Sequence, residues 1–223
     1  MTLELKERLI ELEPDGKRVR IQFDPAVVSS ANVEWFGDVM QRMASDGSRF
    51  ESGQTMEVGW SVVRLEAADD GVLEIREPDF RSMPTKWLAG LSTSLVHMAL
   101  HRDIVESVLP VEELAIPGMR QSCIVCNATG NEPGFFMDRT EPRGQDSGWF
   151  FGCLHKGHDH ETPANLLKMS LYELVVRRAR AALPFLALPN GSMVALDVGR
   201  RSVSRYDIGL EPKPGSLLSR MPP

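Results

Sequence analysis

Six side chains that favour soft or borderline metal ions fall in one stretch: Cys123-x-x-Cys126, then Cys153-x-His155-x-x-His158-x-His160. Zinc takes four such ligands in a tetrahedron, and a Cys-x-x-Cys pair followed by Cys and His is one way a chain supplies them. Three considerations weigh against that chemistry. The run Ser122 to Cys126 (SCIVC) reads as a short apolar strand, and residues three apart on a strand point to opposite faces. Ile124 and Val125 favour extended backbone over the turn of a zinc knuckle. A chain of 223 residues can also build a core without a metal staple. The three cysteines are therefore read as small buried hydrophobes, with no metal and no cofactor expected. A zinc-binding domain, structural or hydrolytic, drawing on the Cys/His cluster 123–160 is the alternative.

The same stretch raises acid/base chemistry. Lys156-Gly157-His158-Asp159-His160-Glu161 mixes imidazoles and carboxylates, the groups that move protons near neutral pH. No second half of such a site is in view, because Asp197 and Asp207 have no supporting context, and the loop is read as solvated with freely titrating imidazoles. His97 and His101 would share one helical face, but Met98, Ala99 and Leu100 between them exclude the HExxH pattern, so both are read as structural. There is no GxSxG, no phosphate-binding glycine loop and no dinucleotide turn.

Charge narrows the partners. The net charge of -6 is uneven: Met1 to Gly118 carries 21 acidic against 12 basic residues, a net -9, and the remainder is +3. Nucleic acid needs clustered positive charge, so it is not expected as a partner. An acidic first half would suit a basic protein surface. No apolar run approaches the roughly 20 residues of a membrane helix, no signal peptide is recognised at the N-terminus, and three cysteines are an odd count for a disulfide framework. A cytoplasmic protein with no membrane association is expected.

The elements that would position these residues follow from periodicity. Met1 to Pro14, with Leu5, Leu9 and Leu12 at helical spacing, predicts an amphipathic helix, and Glu13-Pro14-Asp15-Gly16 a turn. Lys17 to Phe23 alternates as a half-buried strand. Ser29 or Ser30 caps a helix carrying Val33, Phe36, Val39, Met40 and Met43 and ending near Gly47. Thr55 to Glu66 and Val72 to Arg76 flank an Asp-Gly hairpin turn at Ala68 to Gly71. A helix opens at Met83-Pro84-Thr85 with Leu88, Leu91, Leu95 and Met98 inward. Leu109 to Gly118 reads as a linker, Asn127 to Pro133 as a loop, and Pro163 to Arg180 as an amphipathic helix with arginines at its C-terminal end. Phe185 to Leu188, a turn at Pro189 to Ser192 and Met193 to Val198 complete the pattern. The expected fold class is α+β, antiparallel sheets with packed helices in two subdomains: an acidic N-terminal part over 1–116, a second domain over 117–206, and a Pro-rich tail over 207–223 with little to pack.

The most distinctive stretch is Gly134 to Leu154, GFFMDRTEPRGQDSGWFFGCL. Two aromatic runs flank a bend rich in Pro, Gly, Asp and Ser, which predicts two strands and a connecting loop. Asp146-Ser147-Gly148 is a turn leading into a strand anchored by Trp149.

With Leu171-Tyr172-Glu173-Leu174, Leu183-Pro184-Phe185-Leu186 and Asn190-Gly191-Ser192, this stretch resembles the immunity protein 33 family of bacterial immunity domains. The residues carrying the resemblance are Gly134, Met137, Arg139, Glu141, Pro142, Asp146, Ser147, Gly148, Trp149 and Phe151, within a match from about 122 to 197. The resemblance implies a cytoplasmic immunity protein of a polymorphic toxin or secretion system, without enzymatic activity, that neutralises a cognate toxin by direct binding and occlusion. Family members usually continue past the tryptophan strand with acidic residues, where this chain has Cys153, His155, Lys156, His158 and His160. Partner contacts are expected at Glu141, Arg143 and Asp146 of the bend and at Asp69 and Asp70 in the acidic half, against a toxin with a basic surface. Gly134, Met137, Arg139, Pro142, Ser147, Gly148, Trp149 and Phe151 are expected to be mainly structural.

Overall fold

The computed structural model describes residues 5–13, 15–131 and 134–222. The chain divides into two compact units, Met1–Met98 and Ala99–Pro223, and each contains one mixed sheet with helices, an α+β fold.

In the first unit, β1 (Lys6–Leu12) and β2 (Lys17–Phe23) form a hairpin, and α1 (Ser30–Ser45) follows. Ser29 caps α1, its hydroxyl accepting from the Asn32 amide at 3.3 Å. Strands β3 (Thr55–Val58), β4 (Ser61–Ala67), β5 (Leu73–Pro78) and β6 (Trp87–Ala89) complete a sheet ordered β1-β2-β5-β4-β3, with β6 on the other half of β5. All pairs are antiparallel except β2 with β5. The alternation of Val19, Ile21 and Phe23 turns β2 inward onto Val33, Phe36 and Met40 of α1, one buried cluster that also takes in Leu91 and Leu95. Burying each such side chain contributes about 1.5–3 kcal/mol.

Two expectations are corrected here. The predicted N-terminal helix lies partly outside the described residues, at 1–4 and Pro14, and where it is described the chain is strand β1. Its register with β2 runs from Lys6↔Phe23 to Leu12↔Lys17. An isolated short helix is marginal in water, whereas here the backbone is satisfied by a neighbour; Leu9 is left about half exposed at 48%. The helix expected from Met83 begins instead at Ser92, as α2 (Ser92–Val108). Its first turn is held by a carboxylate from the sheet: buried Glu77 accepts the amides of Thr93 at 2.9 Å and Ser94 at 2.7 Å. An anion suits these unpaired N–H groups. Leu88, read as a core position of that helix, lies in β6 and is exposed.

The second unit is built on seven strands: β7 (Ser122–Cys126), β8 (Phe135–Arg139), β9 (Asp146–Cys153), β10 (Leu166–Ser170), β11 (Ser192–Asp197), β12 (Arg200–Arg205) and β13 (Ile208–Gly209), in the order β10-β7-β9-β8-β11-β12-β13. Only β7 and β9 pair in parallel. The helix expected over 163–180 resolves into a 3-10 turn at Pro163–Asn165, strand β10 and the short helix α3 (Leu171–Arg177). Ser170 caps α3 through its hydroxyl, 3.1 Å from the Glu173 amide. A second 3-10 segment, Arg180–Phe185, leads to β11.

The tail is also corrected. It packs: Leu218 in α4 (Leu217–Arg220) is fully buried. The Lys213 ammonium donates to the carbonyls of Glu106 at 2.7 Å and Leu109 at 3.0 Å, at the C-terminal end of α2. A cation there complements the helix dipole. Pro223 and the loop residues Glu132 and Pro133 lie outside the described residues.

Candidate functional site

The distinctive stretch forms β8, the bend and β9, with Arg139 opposite Trp149 in the antiparallel register. Arg139 is 3% exposed, and among the described residues its hydrogen-bond acceptors are all backbone carbonyls. Its guanidinium donates to the carbonyls of Ser147 at 3.3 Å, Ala115 at 2.6 Å, Leu186 at 3.2 Å and Leu188. Burial draws its pKa down to about 10, with Glu141 opposing, so it stays charged at neutral pH. Met137, Ser147, Trp149 and Phe151 are buried beside it. The Ser147 hydroxyl donates to the Ser122 carbonyl at 2.8 Å, tying β9 to β7. Gly148 has φ +77°, and a Cβ there would lie 2.2 Å from the Thr140 carbonyl oxygen, so only glycine fits. Pro142 is exposed on the bend.

The bend itself gathers three of the predicted contact residues. Arg143 and Asp146 exchange backbone hydrogen bonds at 3.1 and 2.9 Å, and the Asp146 carboxylate accepts the Gly148 amide at 2.8 Å. Glu141 accepts from the Asn190 amide group. With Ile124 and Phe150 they line an open cleft of about 450 Å³. Asp69 and Asp70 are in the first unit. Both are exposed, but the Asp70 carboxylate is bound to Arg20, which also pairs with Glu7 and Glu74. The Arg20 hydrogen bond, with that of the Val72 amide, holds Asp70 below the ordinary carboxylate range.

Residues 101–205 match the model of the Imm33-like domain. This segment, just under half of the chain, is similar to an Imm33-like domain. No curated protein and no solved structure matches the chain.

Within the matched segment a second constellation stands at the ends of the parallel strands. The β7–β9 register pairs Val125 with Phe151, which brings the last residues of both strands, Cys126 and Cys153, to one edge. The following loop returns His158 and His160 to the same place. One potential ligand atom from each of the four residues lies within 4.8 Å of all the others. Cys153 Sγ is 3.4 Å from His160 Nε2, and the Ala128 amide points at Cys126 Sγ from 3.4 Å. His158 Nε2 is shut off from solvent and has no hydrogen-bond partner among the described residues.

The loop is shaped to do this. Gly157 at φ +83° permits the turn closed by the His158 amide on the His155 carbonyl at 3.3 Å. The Asp159 carboxylate, exposed, accepts the amides of Glu161 at 2.7 Å and Thr162 at 3.3 Å and the Thr162 hydroxyl. The hydroxyl first, then the amides, hold its pKa low. Asn165 donates to the Asp159 carbonyl at 2.9 Å, and its own carbonyl accepts the Asn127 amide at 2.8 Å, beside Cys126. The His160 ring stands edge-on to Phe136 and Phe150, at 5.5 and 5.9 Å between centroids. Burial first, then His158, lowers its pKa. Burial disfavours the Cys126 thiolate, but hydrogen bonds from the amides of Ala128, Cys153 and Thr129 and from the Cys153 side chain outweigh it and hold the thiol below its ordinary value.

The expectation of a solvated loop is thus corrected for His158 and His160, both half-buried. Cys123 is elsewhere: its thiol donates to the Met169 carbonyl at 3.6 Å, and burial pushes its pKa up to about 12. The Cys-x-x-Cys spacing therefore does not make a pair, as strand alternation requires, and Cys126 joins Cys153 instead. His155 is exposed and outside the group. His97 and His101 have separate roles. His97 Nδ1 accepts from the Trp60 indole at 3.1 Å, and His101 Nε2 is 2.8 Å from the Leu183 carbonyl.

Proposed function

We propose that this protein is an immunity protein that neutralises a cognate bacterial toxin by binding and covering it. The match of 101–205 to the Imm33-like domain is the observation that carries this reading. The arrangement of the signature supports it. Met137, Arg139, Ser147, Gly148, Trp149 and Phe151 are buried and committed to packing or to backbone carbonyls, which leaves recognition to the exposed residues between the strands. There Glu141 and Arg143, with half-buried Asp146 at the start of β9, surround a cleft with Phe150 and Ile124. Charged rim residues about an apolar and aromatic floor are the make-up of a protein-binding patch.

The partner that fits the acidic segment Met1 to Gly118 is a toxin with a basic surface, because opposite charge speeds encounter. Asp69 contributes an exposed charge to that field; Asp70 does so less, since Arg20 neutralises it locally. Among the described residues no helix is long and apolar enough to cross a membrane. The proposed setting is the cytoplasm of a cell exposed to the toxin, in a polymorphic toxin or secretion system.

The test is co-expression of the full chain with the toxin encoded beside its gene. Growth should be restored, and the two proteins should co-purify in a fixed ratio. A chain that neither rescues growth nor retains the toxin would refute the proposal.

A further inference from the structure

We infer that Cys126, Cys153, His158 and His160 form a tetrahedral zinc site that fastens the 154–165 loop to the ends of β7 and β9. Two thiols and two imidazoles are a donor set for Zn²⁺, and four protein ligands leave no open position, the mark of a structural site. Their ligand atoms already lie within 4.8 Å of one another. With Zn–S near 2.3 Å and Zn–N near 2.0–2.1 Å, sulfur and nitrogen on a tetrahedron stand about 3.6 Å apart; Cys153 Sγ and His160 Nε2 are 3.4 Å apart.

Two further observations point to a ligand. His158 Nε2 is buried without a hydrogen-bond partner among the described residues, an arrangement that folded proteins rarely leave unanswered. The Ala128 amide directed at Cys126 Sγ is the outer-shell donor that a metal-bound sulfur uses. Simpler readings account for fewer of these facts. Hydrogen bonds of Cys153 to His160 and to Cys126 leave His158 without a reason to converge, and a Cys126–Cys153 disulfide leaves both imidazoles without one.

The chemistry balances. On binding, each thiol gives its proton to solvent and each imidazole donates a nitrogen lone pair as the neutral base. Two thiolates then offset the two charges of the ion, so the half-buried site is neutral overall. The ligands come from three separate segments, and metal binding is therefore coupled to the folded arrangement of the loop. No carboxylate enters the set: Asp159, between the histidines, is engaged with Glu161 and Thr162.

The experiment uses the full chain, made without a polyhistidine tag and purified under reducing conditions. Elemental analysis should find about one zinc per chain, and X-ray absorption should show two sulfur neighbours near 2.3 Å and two nitrogens near 2.0–2.1 Å. Replacement by Co²⁺ should give the intense visible bands of a tetrahedral thiolate site. Cys153→Ser and His158→Ala should each weaken zinc binding by at least about tenfold, a loss that even outer-shell changes can produce, whereas Cys123→Ser and His155→Ala should bind as the parent does. His158 is on a loop outside the sheet, so His158→Ala should keep the parent's circular dichroism. Failure of the parent to take up stoichiometric zinc supplied at micromolar concentration would overturn the assignment. So would unchanged binding by folded His158→Ala, or a Cys126–Cys153 disulfide in the reduced preparation. None of these readouts involves a toxin, so the site and the toxin-binding proposal fail separately.

Discussion

The guanidinium of Arg139 and the indole of Trp149 donate to one acceptor, the Leu186 carbonyl, at 3.2 and 3.0 Å, with the guanidinium carbon 5.3 Å from the ring centroid. The two residues are also register partners across β8 and β9. Strand pair and 3-10 segment are thereby joined at a single buried point, where the charge is balanced by carbonyl dipoles.

Arg139→Met should therefore unfold far more readily than the parent. It removes the cation and leaves the carbonyls of Ala115, Leu186 and Leu188 short of a donor, which costs about 3 kcal/mol or more. Trp149→Phe loses one hydrogen bond and part of a ring and should cost about 1–3 kcal/mol. Urea denaturation followed by circular dichroism measures both, and equal midpoints for parent and Arg139→Met would contradict this account.

Gly148→Ala combines a positive φ with a Cβ only 2.2 Å from a backbone oxygen. The strand must move, and a loss of about 2 kcal/mol or more is expected. Gly144→Ala is the control: φ is +57° there too, but nothing lies within 4 Å of a Cβ. Its thermal midpoint should fall by clearly less.

Stability should decline in mild acid through His101. Burial holds its folded pKa at about 4, against the Leu183 carbonyl, which favours the charged ring. The unfolded chain takes up the proton first, near pH 6.5. The contribution is present above that value and is lost as pH falls toward 4, by about 2 kcal/mol between pH 7 and pH 5. His101→Gln should flatten the dependence of the urea midpoint over that interval, even if its stability at pH 7 is lower.

Glu141→Ala and Arg143→Ala change exposed side chains of the bend and should leave folding stability within about 0.5 kcal/mol of the parent. If the cleft holds the toxin, at least one of them should weaken the complex about tenfold or more, as truncation of a central contact does. Calorimetry with the purified toxin measures the change. Parent-like affinity in both variants would place the interface elsewhere on the chain.

Much of the seven-stranded sheet is legible in the sequence because its strands alternate or carry aromatics: Val125, Met137, Trp149 and Phe151 face inward. Ser170-x-x-Glu173 has the form of a capping signal at the start of α3, yet Leu166, Leu167, Leu171 and Leu174 also fit helical spacing, which hides strand β10. Alternation correctly separates Cys123 from Cys126. What no local pattern reveals is the parallel pairing of β7 with β9, and that pairing alone sets Cys126 beside Cys153. The half-burial of His158 and His160 is hidden from the sequence for the same reason: His160 packs against Phe136 and Phe150 on neighbouring strands, and His158 against His160. Glu77 beneath α2 and Lys213 at its far end are likewise tertiary contacts without a sequence spacing.

The two borders of the seven-stranded sheet are unequal but both poor templates. One is β13, only two residues long, and the other is β10, where Lys168 is exposed. Short and charged borders resist extension of the hydrogen-bond ladder by another chain. A partner approaching this sheet thus finds little backbone to pair with. Recognition of this sheet would rest on side chains, and the same property disfavours pairing of its borders between copies.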